Sequence, residues 1–332
     1  MKKKILMIAT GGTIACMATS DGLTPVLNTR DILSLVPNVS DFCEITATQL
    51  FNIDSTNMWH PHWEAVAKTI RDNYDLYDGF VILHGTDTMA YTAAALSYLI
   101  QNNRKPIVIT GSQKPLGTEV TDAKTNLYDS FLYCAYEKAS GTQIVFDGKV
   151  ISGVRAKKTR SRSFNAFSSI NFPYIATILD GKVIPYYNQK RRGKVRFFDK
   201  LDRSVGLFKL TPGANPATLD FICSTSDAVI IESFGTGGIP DGYGIYEIIA
   251  KWKKLGKILV TCTQVENEGS NMTVYKVGKA VKEKYGFLES YDMTLEATFA
   301  KLSWILAYEK RPAMVKKLFY KPIADDILYK ES

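Results

Sequence analysis

Short apolar runs alternate with longer segments of helical periodicity along this chain, and that alternation restricts its fold more than any other feature. The runs ILMIAT (5–10), GFVILHG (79–85), KPIVITGS (105–112) and TQIVFDG (142–148) are apolar nearly throughout, not at every second residue. Such runs suit strands buried on both faces of a sheet. Between them, PHWEAVAKTIRDNY (61–74), TMAYTAAALSYLIQN (88–102) and DAKTNLYDSFLYCAYEK (122–138) space their apolar residues at helical period. Pro61 suits a first helical turn. Strand–helix–strand repetition predicts an α/β fold, a mostly parallel sheet with helices on both faces.

The 332 residues exceed one ordinary domain. After residue 148 the pattern thins, and YYNQKRRGKVRFFDKLDRS (186–204) is polar and basic with few core residues. The alternation then resumes, with strand-like GLFKL (206–210), DAVIIESFG (227–235) and KILVTC (257–262). Helical patterns lie at 244–256, 273–286 and 294–310. The expected organisation is a larger N-terminal α/β domain over 1–187, a linker over 188–205 and a smaller C-terminal α/β domain over 206–332. No fixed-period repeat or low-complexity tract is present.

Composition narrows the classes of function. The formal charge is +8, but basic residues are spread out and, beyond the basic start MKKK, cluster in KKTRSR (157–162) and KRR (190–192). That pattern reads as a solvated surface, with no nucleic-acid and no membrane partner. Five cysteines (16, 43, 134, 223, 262) form an odd set without C-x-x-C, which predicts free thiols and a cytoplasmic location. The apolar run after MKKK is shorter than the core of a secretory signal and reads as the first strand. No stretch approaches the ~18 apolar residues of a membrane span.

In open α/β sheets, ligands bind beyond the carboxyl ends of the strands. Those ends carry TGGTIA (10–15), FNIDSTNM (51–58), HGTDTM (84–89) and TGSQKP (110–115), all rich in hydroxyls. TGGTIA lacks the G-x-G-x-x-G spacing of a dinucleotide site and the Lys-Ser/Thr pair of a P-loop. His60 and His62 in WHPHW have no carboxylate or cysteine at metal-ligand spacing, so they read as an aromatic-packed helix start, and no metal or cofactor is expected. No G-x-S-x-G accompanies His84, which reads as a structural hydrogen-bonder. A threonine nucleophile remains open. Thr13 and Thr86-Asp87 sit at strand tips, and Lys157 or Lys158 could complete a proton relay. The competing reading makes Thr13 a turn residue and Thr86-Asp87 a helix cap.

TGGTIA together with HGTDTMAYTAAALSYL resembles the L-asparaginases, and most of all their bacterial cytoplasmic type I branch. NIDSTNM, KPIVITGSQKP, RAKKTRSRSFNAFSSINFPYIA, ESFGTGGIP and DMTLEATFAKL extend the resemblance over nearly the whole chain. The resemblance implies cofactor-free hydrolysis of L-asparagine to L-aspartate and ammonia through an acyl-enzyme. It implies Thr13 as nucleophile, with Thr86, Asp87 and Lys158 as relay. Lys158 is preferred to Lys157 by counting back from FNAF. Ser55 and Thr56, with Asp54 beside them, would hold the substrate α-carboxylate, and Thr86 and Asp87 would complete the substrate site, Asp87 taking the α-ammonium. A homodimer or homotetramer is implied as well.

Two positions depart from the family pattern. Leu23 stands where many members carry a loop tyrosine that assists the nucleophile. Glu232 and Val265 align with an arginine and a cysteine that bind effector asparagine in some cytoplasmic members, which argues against the same allosteric site. The rival functions are a glutaminase-asparaginase, with L-glutamine as substrate, and the amidase subunit of a tRNA-dependent amidotransferase. That subunit carries a domain ahead of its TGGT, whereas the motif here starts at residue 10. A catalytically silent amino-acid sensor is the third rival, and it would not need Lys158.

Overall fold

The computed structural model describes residues 2–12, 14, 16–19, 22–25, 39–187, 193–274 and 276–329. It divides into two compact units, Met1–Asp199 and Lys200–Ser332.

The first unit is built on a sheet of eight strands among the described residues. In chain order these are β1 (Lys3–Gly11), β2 (Cys43–Ile53), β3 (Gly79–Leu83), β4 (Pro106–Thr110), β5 (Gly141–Phe146), β6 (Lys149–Ser152), β7 (Ala176–Leu179) and β8 (Lys182–Pro185). Across the sheet they run β8-β7-β6-β5-β4-β3-β1-β2. The strands β2, β1, β3, β4 and β5 are mutually parallel. β6, β7 and β8 extend the sheet by antiparallel pairing.

Among the described residues, three helices cover it: α1 (His60–Asp72), α2 (Met89–Leu99) and α3 (Ala123–Ala135). Alternate residues of a strand point to opposite faces. Ile5, Met7, Val81 and Val108 therefore share one face, where Ala123, Leu127 and Phe131 of α3 pack on them. Leu6, Ile8, Phe80 and Ile82 are equally buried and point the other way. α2 packs against β4 and β5, and α1 packs against α2. Each such aliphatic or aromatic side chain contributes about 1.5–3 kcal/mol by leaving water. α2 has no solvent face to speak of, since all but one of its residues are buried, which is why its sequence is apolar all round.

The strand order sets the position of any site. β2 was added on one side of β1, while β3, β4 and β5 were added on the other. β1 is thus the point where the winding reverses, and the connections there diverge to leave a crevice at the carboxyl ends of β1 and β3.

The second unit carries four parallel strands, β9 (Val205–Lys209), β10 (Ala228–Ser233), β11 (Ile258–Thr263) and β12 (Leu288–Glu289), adjacent in sequence order. Phe208, Val229, Ile231 and Leu259 from the sheet pack with Leu219, Ile245 and Ile249 from α4 (Pro216–Thr225) and α5 (Ile245–Lys254). The remaining helices are α6 (Lys276–Tyr285), α7 (Leu295–Leu306) and α8 (Pro312–Phe319). Lys301 of α7 and Asp326 form a 2.7 Å ion pair with both side chains fully buried. Lys301 also donates to the Lys321 carbonyl, and Asp326 accepts from the Ile323 amide. Each charge thus has a hydrogen bond besides the pair itself, which offsets the cost of burying it.

The mostly parallel N-terminal sheet and the smaller C-terminal α/β unit agree with the sequence expectation. Within the expected linker, residues 188–192 lie outside the described residues. Arg196–Phe197 pairs antiparallel with Ile100–Gln101, the segment expected to continue α2. Asn102 in the left-handed region, φ 55°, marks the turn beyond it. No helix among the described residues is long and apolar enough to cross a membrane. Cys43, Cys134, Cys223 and Cys262 are buried and unbridged.

Candidate active site

Three strand tips meet where the winding reverses, and glycine makes the meeting close. Gly12 follows β1 with φ 89°, and a Cβ there would lie 2.4 Å from the Gly85 nitrogen. A Cβ on Gly85, after β3, would lie 2.5 Å from the Ser55 Oγ, after β2. Only bare backbone fits at both positions. Thr13, the proposed nucleophile, lies outside the described residues, next in sequence to Gly12.

Asp54 caps the 3-10 turn Ser55–Asn57, accepting the Thr56 amide at 2.8 Å and the Thr56 hydroxyl at 2.9 Å. Ser55 is buried, and its carbonyl accepts the Thr88 hydroxyl at 2.7 Å. That bond ties the β2 tip to the β3 tip.

Lys158 arrives from the short strand Ala156–Lys158, which pairs with Phe167–Ser169. Its ammonium donates to the Thr86 Oγ1 at 2.7 Å and to the Asp87 Oδ1 at 2.6 Å. Lys157 is one residue away on a strand and so points to the other face. The structure brings Thr86, Asp87 and Lys158 into one cluster, with Ser55 against Gly85 beside it. Asp54 and Thr56 sit on the same turn as Ser55 and bond to each other. Leu23 lies in the hairpin strand Gly22–Pro25, paired by backbone with Ala18.

His84 is fully buried behind the cluster. Its Nδ1 lies 2.6 Å from the Gly85 carbonyl, which can only accept, so Nδ1 carries the proton. Its Nε2 then accepts from the Thr92 hydroxyl at 2.8 Å, and Thr92 accepts from the Trp63 indole at 2.8 Å. The chain needs a neutral ring, and burial pushes the His84 pKa down to about 4. His84 thus anchors the carbonyl just before Thr86, as a structural hydrogen-bonder. His60 lies against Trp63 and His62 against Phe51, with ring centroids 5.1 and 5.0 Å apart. His62 also accepts the Trp59 amide at the start of α1. Among the described residues, no three His, Cys, Asp or Glu side chains converge as a metal site would require.

Sequence reasoning singled out TGSQKP as a strand-end loop but gave its residues no role. Gln113 in that loop accepts the Thr86 hydroxyl on its Oε1 at 3.2 Å. Residue type and position were visible; the contact was not, since Gln113 and Thr86 are 27 residues apart.

Hydroxyls, an ammonium and a carboxylate thus gather at the reversal point of a mostly parallel sheet, the place where open α/β folds bind their ligands. The chain belongs to the asparaginase family: residues 4–191 match its "Asparaginase, N-terminal" model and residues 204–319 its "Glutaminase/Asparaginase C-terminal domain" model. It is 35% identical to the L-asparaginase of Thermococcus kodakarensis over 98% of this chain and 99% of that protein. It is 32% identical to L-asparaginase 1 of Escherichia coli K12, over 95% of each chain. The solved structure of the thermostable L-asparaginase from T. kodakarensis superposes with a TM-score of 0.93 at 34% identity, covering 98% of this chain and 100% of that one.

Proposed function

We propose that this chain hydrolyses the side-chain amide of L-asparagine to L-aspartate and ammonia, with Thr13 as nucleophile and Thr86, Lys158 and Asp87 as its proton relay. One observation carries the reading: the Lys158 ammonium bridges the Thr86 hydroxyl and the Asp87 carboxylate within 2.7 Å. A threonine hydroxyl is a weak nucleophile until a neighbouring group takes its proton.

The reaction runs in two halves. The Thr13 oxygen bonds to the amide carbon as its proton passes into the relay, the C–N bond breaks, and nitrogen leaves as ammonia with the proton that the relay delivers through Thr86. Water then adds to the resulting ester, the bond to Thr13 breaks, and Thr13 regains a proton as aspartate departs. Ser55 and Thr56 would hold the α-carboxylate, with Asp54 beside them, and Asp87 would hold the α-ammonium. The half-exposed Asp87 suits that second duty, since it has room for a cation besides Lys158. The turn capped by Asp54 at the β2 tip would present Ser55 and Thr56 to the same crevice.

Ammonia release from L-asparagine by purified protein tests the reading, with L-glutamine as comparison substrate. Turnover by the wild type and its loss in Lys158→Met is the expected result. An inactive wild type, or a Lys158→Met variant as fast as wild type, overturns it. A cytoplasmic homodimer or homotetramer belongs to the same proposal, supported by the unbridged cysteines and the family resemblance. Light scattering in solution tests the assembly.

A further inference from the structure

The strand-end loop TGSQKP touches the relay, and its chemistry defines a duty for Gln113. Lys158 donates to Thr86 at 2.7 Å, so one lone pair of the Thr86 oxygen is taken and its own proton must point elsewhere. The acceptor is the Gln113 Oε1, 3.2 Å away. The amide is oriented by its other end, because the Gln113 Nε2 donates to the Ser163 carbonyl at 3.2 Å, and a carbonyl can only accept.

The backbone beneath is fixed as well. The buried carboxylate of Asp122 accepts the Gln113 amide at 2.9 Å and the Lys114 amide at 3.0 Å. Asn126 of α3 donates to Asp122 at 3.1 Å and to the Gly111 carbonyl at 3.0 Å. Gln113 is thereby held against Thr86 from three directions: its backbone by Asp122, its amide by Ser163, and the loop behind it by Asn126.

We propose that Gln113 is a positioning residue that holds the Thr86 proton in the resting enzyme, so that the remaining Thr86 lone pair faces the substrate crevice. This rests on the reading of Thr86 and Lys158 as a relay. When the leaving nitrogen arrives, the Thr86 O–H turns from Gln113 to that nitrogen. Thr86 gives up its proton as the N–H bond forms and receives one from the Lys158 ammonium, and the proton that Thr13 loses restores Lys158, so no charge is left on the hydroxyl oxygen or on the relay. Gln113 touches the reacting chain only through Thr86.

Two variants test the proposal in steady-state assays across pH. Gln113→Met keeps the length and removes the acceptor; kcat falls about tenfold, the scale of one misdirected hydrogen bond, while KM moves less than about twofold. Gln113→Glu keeps an acceptor but places a negative charge beside Thr86, facing Lys158 and Asp87 and close to Asp122. A negative charge favours protonated neighbours, so the limbs of its pH–rate profile move to higher pH. A merely structural role would leave those limbs in place. Thermal unfolding identifies a variant that has lost its fold, and the Glu variant, which keeps the hydrogen bond to Thr86, then decides. Both variants matching wild type in kcat and in pH profile overturns the inference alone. A wild type that releases no ammonia overturns it together with the reading on which it rests.

Discussion

Each of the two units places a carboxylate–lysine pair at the strand ends of its main sheet, and the two pairs are built inside out relative to each other. In the first unit, Lys158 is the covered member, 16% exposed, and Asp87 the open one, 58% exposed. In the second unit Glu232 is covered, 9% exposed, and Lys209 is open, 58% exposed, with 3.2 Å between them. A covered ammonium is turned to the protein groups around it, here the Thr86 hydroxyl. An open ammonium exchanges with water. The strand order explains the difference. The first sheet reverses its winding at β1 and opens a crevice there, into which a side chain can reach from outside the sheet. The second sheet adds its strands in sequence order, and Glu232 and Lys209 simply face each other across adjacent strands, at paired register positions.

The comparison is broken most directly by removing the covered lysine. Lys158→Met should lower kcat by about a thousandfold, the scale of a lost acid–base function, with the melting temperature nearly unchanged. Lys157→Met should stay within about threefold of wild type, since its side chain leaves the strand on the other face. If the Lys157 variant is the inactive one, the relay has been assigned to the wrong lysine.

Complete burial of a pair has a different consequence. Lys301 and Asp326 are both sealed, so neither can serve a substrate from within the folded unit. Lys301→Met leaves Asp326 as an uncompensated buried charge and should cost about 3–5 kcal/mol of stability. Denaturant unfolding measures this. A loss below about 1 kcal/mol would mean that water reaches Asp326.

Among the described residues no cation pairs with the buried Asp129 carboxylate, which supplies the pH-dependent case. Burial alone raises the Asp129 carboxyl from 3.8 to about 7. Because the folded value lies above the unfolded one, the folded state binds its proton more tightly. Stability is therefore lost as pH rises from 3.8 through about 7, and the full penalty stands above that range. Asp129→Asn removes the penalty. Its gain in melting temperature should be small near the lower bound and grow through the window; a gain independent of pH would show that ionisation plays no part.

Much of this was legible in the chain because local chemistry and final environment agree. The continuous apolar runs at 5–10, 79–85, 105–112 and 142–148 became β1, β3, β4 and β5, buried on both faces. Thr86, Asp87 and Lys158 were named from the family motifs, but local pattern alone left Thr86-Asp87 indistinguishable from a helix cap. Strands β6, β7 and β8 went unread because they are short, and β8 is an exposed edge whose solvated positions dilute the apolar signal. Helix α4 was passed over although Asn215 and Pro216 announce it: the Asn215 side chain accepts the Ala217 amide, and Pro216 opens the first turn. Gln113 could not be paired with Thr86 beforehand, because the orientation of its amide depends on Ser163, 50 residues later.

The smallest expected effect concerns the second pair. The family resemblance aligns Glu232 and Val265 with an arginine and a cysteine that it implies bind an effector in some cytoplasmic members. A carboxylate repels the α-carboxylate of an amino acid, and Glu232 already faces Lys209. The backbone nearby is occupied too. Gln264 donates to the carbonyls of Leu210 and Glu232 at 2.7 and 2.9 Å, and the Val265 amide donates to the Thr263 hydroxyl at 3.0 Å. Asparagine saturation should therefore be hyperbolic in the wild type. Lys209→Met leaves Glu232 mostly covered and without its cation, while Glu232→Gln removes the charge and keeps the shape. Both variants should hold kcat within about twofold of wild type and keep the curve hyperbolic, since neither residue belongs to the proposed relay. Sigmoidal saturation in the wild type that becomes hyperbolic in Glu232→Gln would reverse the comparison. The open lysine of the second sheet would then belong to a ligand site after all, and the two pairs would differ in ligand, not in chemistry.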